Sequence, residues 1–195
     1  MHPCGRFNRN SLQYFLERLY PHLKVRPAHR LDANTSGIVV CAKRRAVARE
    51  LQPQFEQGEV SKTYIARVLG VPTETEFESR QPISREPTSA GGRSIDLNGL
   101  SAHTRFKLLA AHTNGESVLE VNPLTGRTNQ IRLHLWDLGL PIVGDSLYLP
   151  DAKMGEQQTL APDDQPMCLR ARALSFRHPV SREICEFEGA RPDWA

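Results

Sequence analysis

Asp32 is the acidic residue whose surroundings are best suited to chemistry. It follows Arg30 and precedes a polar turn at residues 33–37, and an apolar stretch comes next at residues 38–42. Glycine accepts positive φ, and short hydroxyl side chains bond to the nearby backbone, so such a turn reverses the chain sharply. The pattern predicts a loop that fixes the direction of one carboxylate at the start of a strand.

Arg132 is the second candidate for a chemical role. It lies in residues 131–138, which are apolar on nearly every side of a predicted helix, as is typical of a buried helix. A buried guanidinium without a carboxylate partner is strongly unfavourable, and its planar group suits a bidentate pair. The sequence therefore predicts an acidic partner for Arg132, and Asp137 and Asp145 are among the candidates.

Three stretches, in matching order and spacing, resemble the motifs of the RluA-type pseudouridine synthase family, whose members isomerise uridine in ribosomal or transfer RNA. They are HRLD at 29–32 with TSG at 35–37, KTYIA at 62–66, and LTGRTNQIRLHL at 124–135 with GLPIVGD at 139–145. The similarity covers nearly the whole chain. It implies an enzyme, an isomerase that converts uridine to pseudouridine. A non-catalytic RNA-binding module on the same scaffold is the alternative.

The resemblance also implies roles for three residues. Asp32 breaks the N1 glycosidic bond, by attack on the sugar or by taking a sugar proton; the uracil turns, and its C5 bonds to C1′. Arg132 faces Asp32 and keeps it ionised and oriented, as an opposite charge at contact distance does. Tyr64 stacks on the target uracil, although a tyrosine in a strand is more often part of the core. The implied chemistry needs no metal and no organic cofactor.

Five basic residues are predicted to bind RNA. The target uridine must leave the base stack, and Arg30, beside Asp32, is suited to act as the wedge. Arg127 precedes a helix N-terminus, where backbone donors favour a phosphate. The others belong to a basic cluster or to the second motif: Arg44, Arg45 and Lys62. A solvated helix face is the alternative reading of the cluster at residues 43–49.

Composition agrees with this interpretation. A chain of 195 residues with 39% apolar content suffices for one core, and the net charge of +3 is only mildly basic. Its four cysteines form no C-x-x-C pair, so neither a zinc site nor a disulfide framework is predicted. No segment resembles a signal peptide or a membrane span. We expect a cytoplasmic monomer that binds rRNA or tRNA and has neither a metal nor a membrane as partner.

The elements that must position these residues follow from periodicity and turn signals. We predict helices at 11–20, 44–57 and 131–138, strands at 38–42, 61–69, 102–110, 117–121, 171–176 and 184–187, and a loop-rich segment at 71–100. The fold implied by the resemblance is α+β, with a mixed, largely antiparallel sheet, flanking helices and a central active cleft. We expect one catalytic domain over residues 1–195, without the family's first N-terminal strand and without a separate N-terminal RNA-binding domain.

Two positions depart from the family pattern. Asn129 replaces the histidine that usually lies between Thr128 and Gln130, and Arg170 stands where a histidine is common. We expect both changes to affect residues around the site rather than the reacting groups.

Overall fold

A computed structural model describes residues 11–161 and 163–195 of the chain. The helices in this part are α1 Leu12–Leu19, α2 Arg45–Glu56 and α3 Gln130–Asp137. The strands are β1 Arg26–Pro27, β2 Ser36–Gly37, β3 Cys41–Ala42, β4 Ser61–Leu69, β5 Glu76–Ser79, β6 Thr104–Ala111, β7 Glu116–Pro123, β8 Tyr148–Leu149, β9 Lys153–Met154, β10 Leu169–Arg177 and β11 Ile184–Glu188. None of the described helices is long and apolar enough to cross a membrane.

One mixed sheet dominates the fold. Its strands lie in the order β11-β10-β4-β7-β6-β5, and β2 pairs with β10 beside this path. The pairs β4–β7, β7–β6 and β6–β5 are antiparallel, whereas β2 and β10 are parallel. The predicted α+β class with a mixed, largely antiparallel sheet is confirmed.

The described residues form two compact units. The first comprises residues 11–31, Val39–Val60 and Ser175–Glu186, and the second comprises Asp32–Ile38, Ser61–Leu174 and Phe187–Ala195. The second unit contains most of the sheet and all of α3.

The core of the second unit lies where α3 packs on the central strands. Ala66 and Val68 alternate on β4 and are fully buried, as the predicted two-residue period requires. From α3, Leu135 joins the same cluster with no exposed surface, and Ile131 joins it at 7% exposure. This packing fixes α3, and therefore its first turn, relative to β4.

Helix α2 organises the first unit. The side chain of Gln54 is buried, donates to the carbonyl of Arg177 at 2.9 Å and accepts from the amide of Arg177 at 3.1 Å. Phe55 stacks on the ring of His29 with centroids 4.4 Å apart, and the backbone N–H of Val40 donates to His29 Nε2 at 3.1 Å. His29 therefore has a structural role in the first unit.

The strand after the Asp32 loop differs from the prediction. A continuous strand at 38–42 was expected, but only its last two residues form a strand, β3, and the other short strand, β2, lies just before this range in the predicted turn. The reason is a change of partner, because β2 pairs with β10 whereas β3 pairs with β1. Gly37 allows the close approach to β10: its φ is +113°, and a Cβ there would lie 2.2 Å from the carbonyl oxygen of Ala171.

Candidate active site

The Asp32 carboxylate is held by two loops of the second unit. The backbone N–H of Thr35 donates to the Asp32 carbonyl at 3.2 Å and closes the turn predicted after Asp32. Asn34, within that turn, has a φ of +63° and donates its Nδ2 to the carbonyl of Gln158 at 2.5 Å. From the other loop, the backbone N–H of Asn129 donates to Asp32 Oδ2 at 2.9 Å. The direction of the carboxylate is therefore set from both sides.

The backbone N–H of Asn129 points towards Asp32 because Asn129 has an unusual backbone conformation. It is the N-cap of α3, is 1% exposed, and has a φ of +57° in the left-handed region that asparagine tolerates better than most residues. Its side chain accepts from Arg132 Nη1 and donates to Gln158 Oε1, both at 3.2 Å. Asn129 thus connects Asp32 to Arg132 through one residue.

The bidentate carboxylate partner of Arg132 is Asp145 rather than Asp32. Arg132 donates from Nε and Nη2 to the two carboxylate oxygens of Asp145, both at 2.7 Å, and neither side chain has exposed surface. Asp145 is held in turn by the backbone N–H groups of Leu147 and Tyr148. The buried guanidinium of Arg132 has the carboxylate partner that the sequence predicted, and Asp145 is one of the candidates that the sequence left open.

Arg132 is a permanent cation in the site. Burial acts to lower its pKa, but the hydrogen bonds and charge of Asp145 raise it by more, and the charge of Asp32 adds a smaller rise, so the pKa ends above its usual value. Its guanidinium carbon lies 5.2 Å from the centre of the Tyr148 ring, within the range of a cation–π contact. The charge of Arg132 therefore acts on Asp32 as well as on Asp145.

Tyr64 lies on β4 opposite Val121 of β7. Burial raises the pKa of its phenol, and the negative charge of Asp32 raises it further. The phenol is therefore neutral at physiological pH. The influence of Asp32 shows that the tyrosine and the carboxylate belong to the same electrostatic environment.

Lys62 is two residues before Tyr64, so the two side chains share one face of β4. Its Nζ donates to the carbonyl of Thr125 at 3.4 Å, and burial lowers its pKa. Among the described residues, no carboxylate lies within salt-bridge distance of Lys62. Lys62 is therefore a partly desolvated cation, and no described carboxylate competes with an anionic group of a substrate for its ammonium group.

Gln130 fixes the loop that carries Arg127, and sequence reasoning missed it. Its Nε2 donates to the carbonyl of His103 at 3.0 Å and to Thr104 Oγ1 at 2.9 Å. Its Oε1 accepts from Thr125 Oγ1 at 2.7 Å and from the Arg127 N–H at 2.9 Å. All four hydrogen-bonding positions of the amide are used. The signal available in the sequence was a polar side chain in the first turn of a helix predicted to be buried.

The predicted site residues divide between the two units. The second unit contains Asp32, Tyr64, Arg132, Lys62 and Arg127. The first unit contains Arg30, Arg44 and Arg45, all of them exposed. Within residues 11–161 and 163–195, no group of three histidine, cysteine, aspartate or glutamate side chains is arranged to hold a metal ion.

Comparison with known proteins places the arrangement in a class. A family model described as RNA pseudouridylate synthase matches residues 3–136. The dual-specificity RNA pseudouridine synthase RluA of Pasteurella multocida is 36% identical over 83% of this chain and 71% of its own length. The pseudouridylate synthase RPUSD2 of Mus musculus is also 36% identical, over 76% of this chain and only 27% of its own length.

Solved structures agree with the sequence comparisons. Human RNA pseudouridylate synthase domain containing 1 superposes with a TM-score of 0.76 at 29% identity, and the match covers 96% of this chain and 76% of that one. Fold and sequence together define an RNA-modifying isomerase that converts uridine to pseudouridine. The chain belongs to the RNA pseudouridylate synthase family, and its resemblance to the RluA-type members is confirmed.

Proposed function

We propose that this chain isomerises uridine in rRNA or tRNA with Asp32 as the catalytic residue, assisted by Tyr64 and Arg132. The observation that carries the proposal is the hydrogen bond at 2.9 Å from the Asn129 N–H to Asp32 Oδ2. This hydrogen bond comes from outside the Asp32 loop and fixes the direction of a carboxylate that belongs to the family motif. The same carboxylate influences the pKa of both Tyr64 and Arg132. The three proposed catalytic residues therefore act within one electrostatic environment.

The reaction is an isomerisation that needs no external oxidant or reductant. The bond between C1′ and N1 breaks, and a bond between C1′ and C5 forms. N1 gains a proton, and the hydrogen on C5 is lost to solvent. Asp32 begins this sequence by attack on the sugar or by removing a sugar proton, and either route requires an ionised and oriented carboxylate.

Tyr64 supplies an aromatic face for the uracil. Base–aromatic stacking stabilises a bound base by about 1–3 kcal/mol and does not require an ionised phenol. The raised pKa of Tyr64 is consistent with this role, because the phenol stays neutral next to the negatively charged Asp32. The same contact guides the uracil when it turns between the two glycosidic bonds.

Arg132 acts on Asp32 through its charge and through Asn129. Its positive charge favours the ionised carboxylate, and its Nη1 fixes the side chain of Asn129, whose N–H meets Asp32. Because Asp145 neutralises most of this charge, the main effect that we propose for Arg132 is orientation.

RNA recognition is assigned to five basic side chains. Arg30 enters the base stack at the place that the target uridine leaves. Removal of the uridine from paired RNA costs a few kcal/mol. Lys62 and Arg127 bind phosphates beside the target nucleotide, and the exposed Arg44 and Arg45 bind the RNA backbone further away. We also propose that the protein acts as a cytoplasmic monomer.

A tritium-release assay tests the function. Wild-type protein should release tritium from RNA that contains C5-labelled uridine, because C5 loses its hydrogen in the reaction. Asp32→Asn keeps the shape but removes the charge, so release should stop while RNA affinity stays within about twofold. Asp137→Asn is the matched control, since Asp137 is an exposed aspartate at the end of α3, and it should behave as wild type. Tritium release by Asp32→Asn at the wild-type rate would reject the catalytic assignment.

A further inference from the structure

Gln158 lies in the polar segment between β9 and β10 and connects three parts of the second unit. Its backbone carbonyl accepts from Asn34 Nδ2 at 2.5 Å and from Ser146 Oγ at 3.0 Å. Its side-chain Oε1 accepts from Asn129 Nδ2 at 3.2 Å. Asn34 is two residues after Asp32, and the N–H of Asn129 donates to Asp32. Gln158 therefore contacts both of the loops that hold the carboxylate.

The orientation of the Asn129 amide depends on an acceptor beside it. Arg132 can only donate, so the amide oxygen of Asn129 must face it and the amide nitrogen must point elsewhere. A buried donor without a partner is costly, and Asn129 is 1% exposed. The hydroxyl of Tyr148, which exchanges hydrogen bonds with the backbone of Arg93, is also a hydrogen-bond partner of the Asn129 side chain. Gln158 Oε1 is the carbonyl acceptor for Asn129 Nδ2, and a carbonyl oxygen can only accept.

We propose that Gln158 is a positioning residue for the isomerisation. It fixes the side chain of Asn129, which holds the left-handed backbone and its N–H in place, and that N–H sets the direction of Asp32. Gln158 does not touch the reacting atoms. The inference rests on the catalytic role proposed for Asp32 and adds to it a residue outside the three family motifs.

The first test removes the acceptor. Gln158→Leu keeps a similar volume without the carbonyl oxygen, and we expect kcat for tritium release to fall about tenfold, because small errors in orientation are costly in catalysis. KM for the RNA should change by less than about twofold, since Gln158 is not assigned to RNA binding. Gln157→Leu is the matched control, because the side chain of Gln157 is exposed next to it. An unchanged kcat in Gln158→Leu overturns the proposal.

The second test keeps the acceptor and adds a charge. Glutamate in Gln158→Glu still offers an oxygen to Asn129, so kcat at alkaline pH should stay near the wild-type value. Its negative charge makes Asp32 harder to ionise, so the acid limb of the pH–rate profile should move to higher pH. A residue that only supported the fold would not move that limb. An acid limb identical to that of wild type, with kcat as low as in Gln158→Leu, contradicts the proposal.

A readout without turnover separates this inference from the proposed function. Amide hydrogen exchange in the full chain should show the Asn129 N–H exchanging about tenfold faster in Gln158→Leu than in wild type or Gln157→Leu. Equal exchange in all three proteins overturns the positioning role, even if the wild type is active. Faster exchange in a protein that releases no tritium supports the positioning of Asp32 and rejects the proposed function instead.

Discussion

Tyr64 shows how one side chain can serve both the core and the site. It lies on the central strand β4 and packs against the hydrophobic core of the second unit, and Asp32 nevertheless influences its phenol. The position thus satisfies the structural interpretation of a strand tyrosine and the functional one together. Substitution can separate these two contributions.

We expect Tyr64→Leu to lower pseudouridine formation strongly, because the flipped base loses an aromatic contact of about 1–3 kcal/mol. Tyr64→Phe is the control: it keeps the ring and should retain most of the activity, since a neutral phenol is not required for stacking. Both rates are measured by tritium release, with thermal melting to confirm that the variants fold. Wild-type turnover by Tyr64→Leu would show that the pocket is assigned to the wrong residue.

At the scale of elements, the Arg132–Asp145 pair joins α3 to the segment after it. Both side chains are fully buried, and Asp145 also accepts from the backbone N–H groups of Leu147 and Tyr148. The pair therefore holds the short connection between α3 and β8 as well as the cation near Asp32. The pair affects the free energy of unfolding mainly because loss of one partner would leave the other as an unpaired buried charge.

A double-mutant cycle tests this pair. Removal of one partner leaves an uncompensated buried charge, so Arg132→Ala and Asp145→Ala should each lower the free energy of unfolding by about 3–5 kcal/mol. The double variant should lose less than the sum, because no unpaired charge remains. Arg132→Ala combined with Asp32→Asn should show a smaller coupling, since the two residues share Asn129 as a hydrogen-bond partner. Additive effects for Arg132 and Asp145, measured by urea unfolding, would contradict the assignment of partners.

Strands β5 and β6 are joined near the site by the side chain of Glu78. It accepts from Arg80 Nε at 2.7 Å and from His103 Nε2 at 2.8 Å, and the backbone N–H of His103 bonds to Thr125. The hydrogen bond from Arg80, followed by that from His103, lowers the pKa of Glu78 to about 2 from 4.5. Because Glu78 is 40% exposed, salt weakens these interactions.

The sign of the resulting pH dependence is fixed by the lowered pKa. The ionised form is favoured in the folded state, so the contribution of Glu78 to stability is complete above about pH 4.5 and is lost as the pH falls towards about 2. Glu78→Gln should therefore show a smaller fall in Tm than wild type across this range. Glu76→Gln, a more exposed carboxylate on the same strand, is the control. Parallel Tm curves for wild type and Glu78→Gln would refute the expectation.

For the whole molecule, the net charge of +3 is too small to explain RNA binding, so the placement of individual arginines matters more. Arg44 is the N-cap of α2 with no side-chain cap bond, and Arg45 begins the helix. Both are exposed. This geometry suits contacts to phosphates, which bind without reading the base sequence.

The salt dependence of RNA affinity tests the role of these two arginines. Each lost phosphate contact should reduce the slope of log K against log salt concentration by about 0.7 for single-stranded RNA. We expect Arg44→Ala and Arg45→Ala to show this reduction and to keep kcat at saturating RNA. Arg18→Ala, an exposed helical arginine outside the cluster, is the control. Slopes unchanged from wild type would assign the cluster to a solvated helix face.

The sequence by itself determined the features that depend on neighbouring residues. Helices α1 and α2 and strands β4, β6 and β7 match the predicted elements closely. Capping, hydrophobic period and turn residues act over a few positions, so they can be read along the chain. The motifs also identified the family, because their side chains are set by chemistry rather than by packing.

The tertiary structure alone decided which distant groups meet. The sequence required a carboxylate for Arg132, but several were available, and only the packed chain shows that Asp145, 13 residues further on, takes the bidentate position. Of the strand expected at 38–42 only β3 forms, because the chain pairs with β10 at β2 and changes to β1 at β3. Likewise, Gln158 reaches Asn129 across 29 residues. Such contacts depend on where folding places distant segments of the backbone, and a local sequence pattern does not determine that placement.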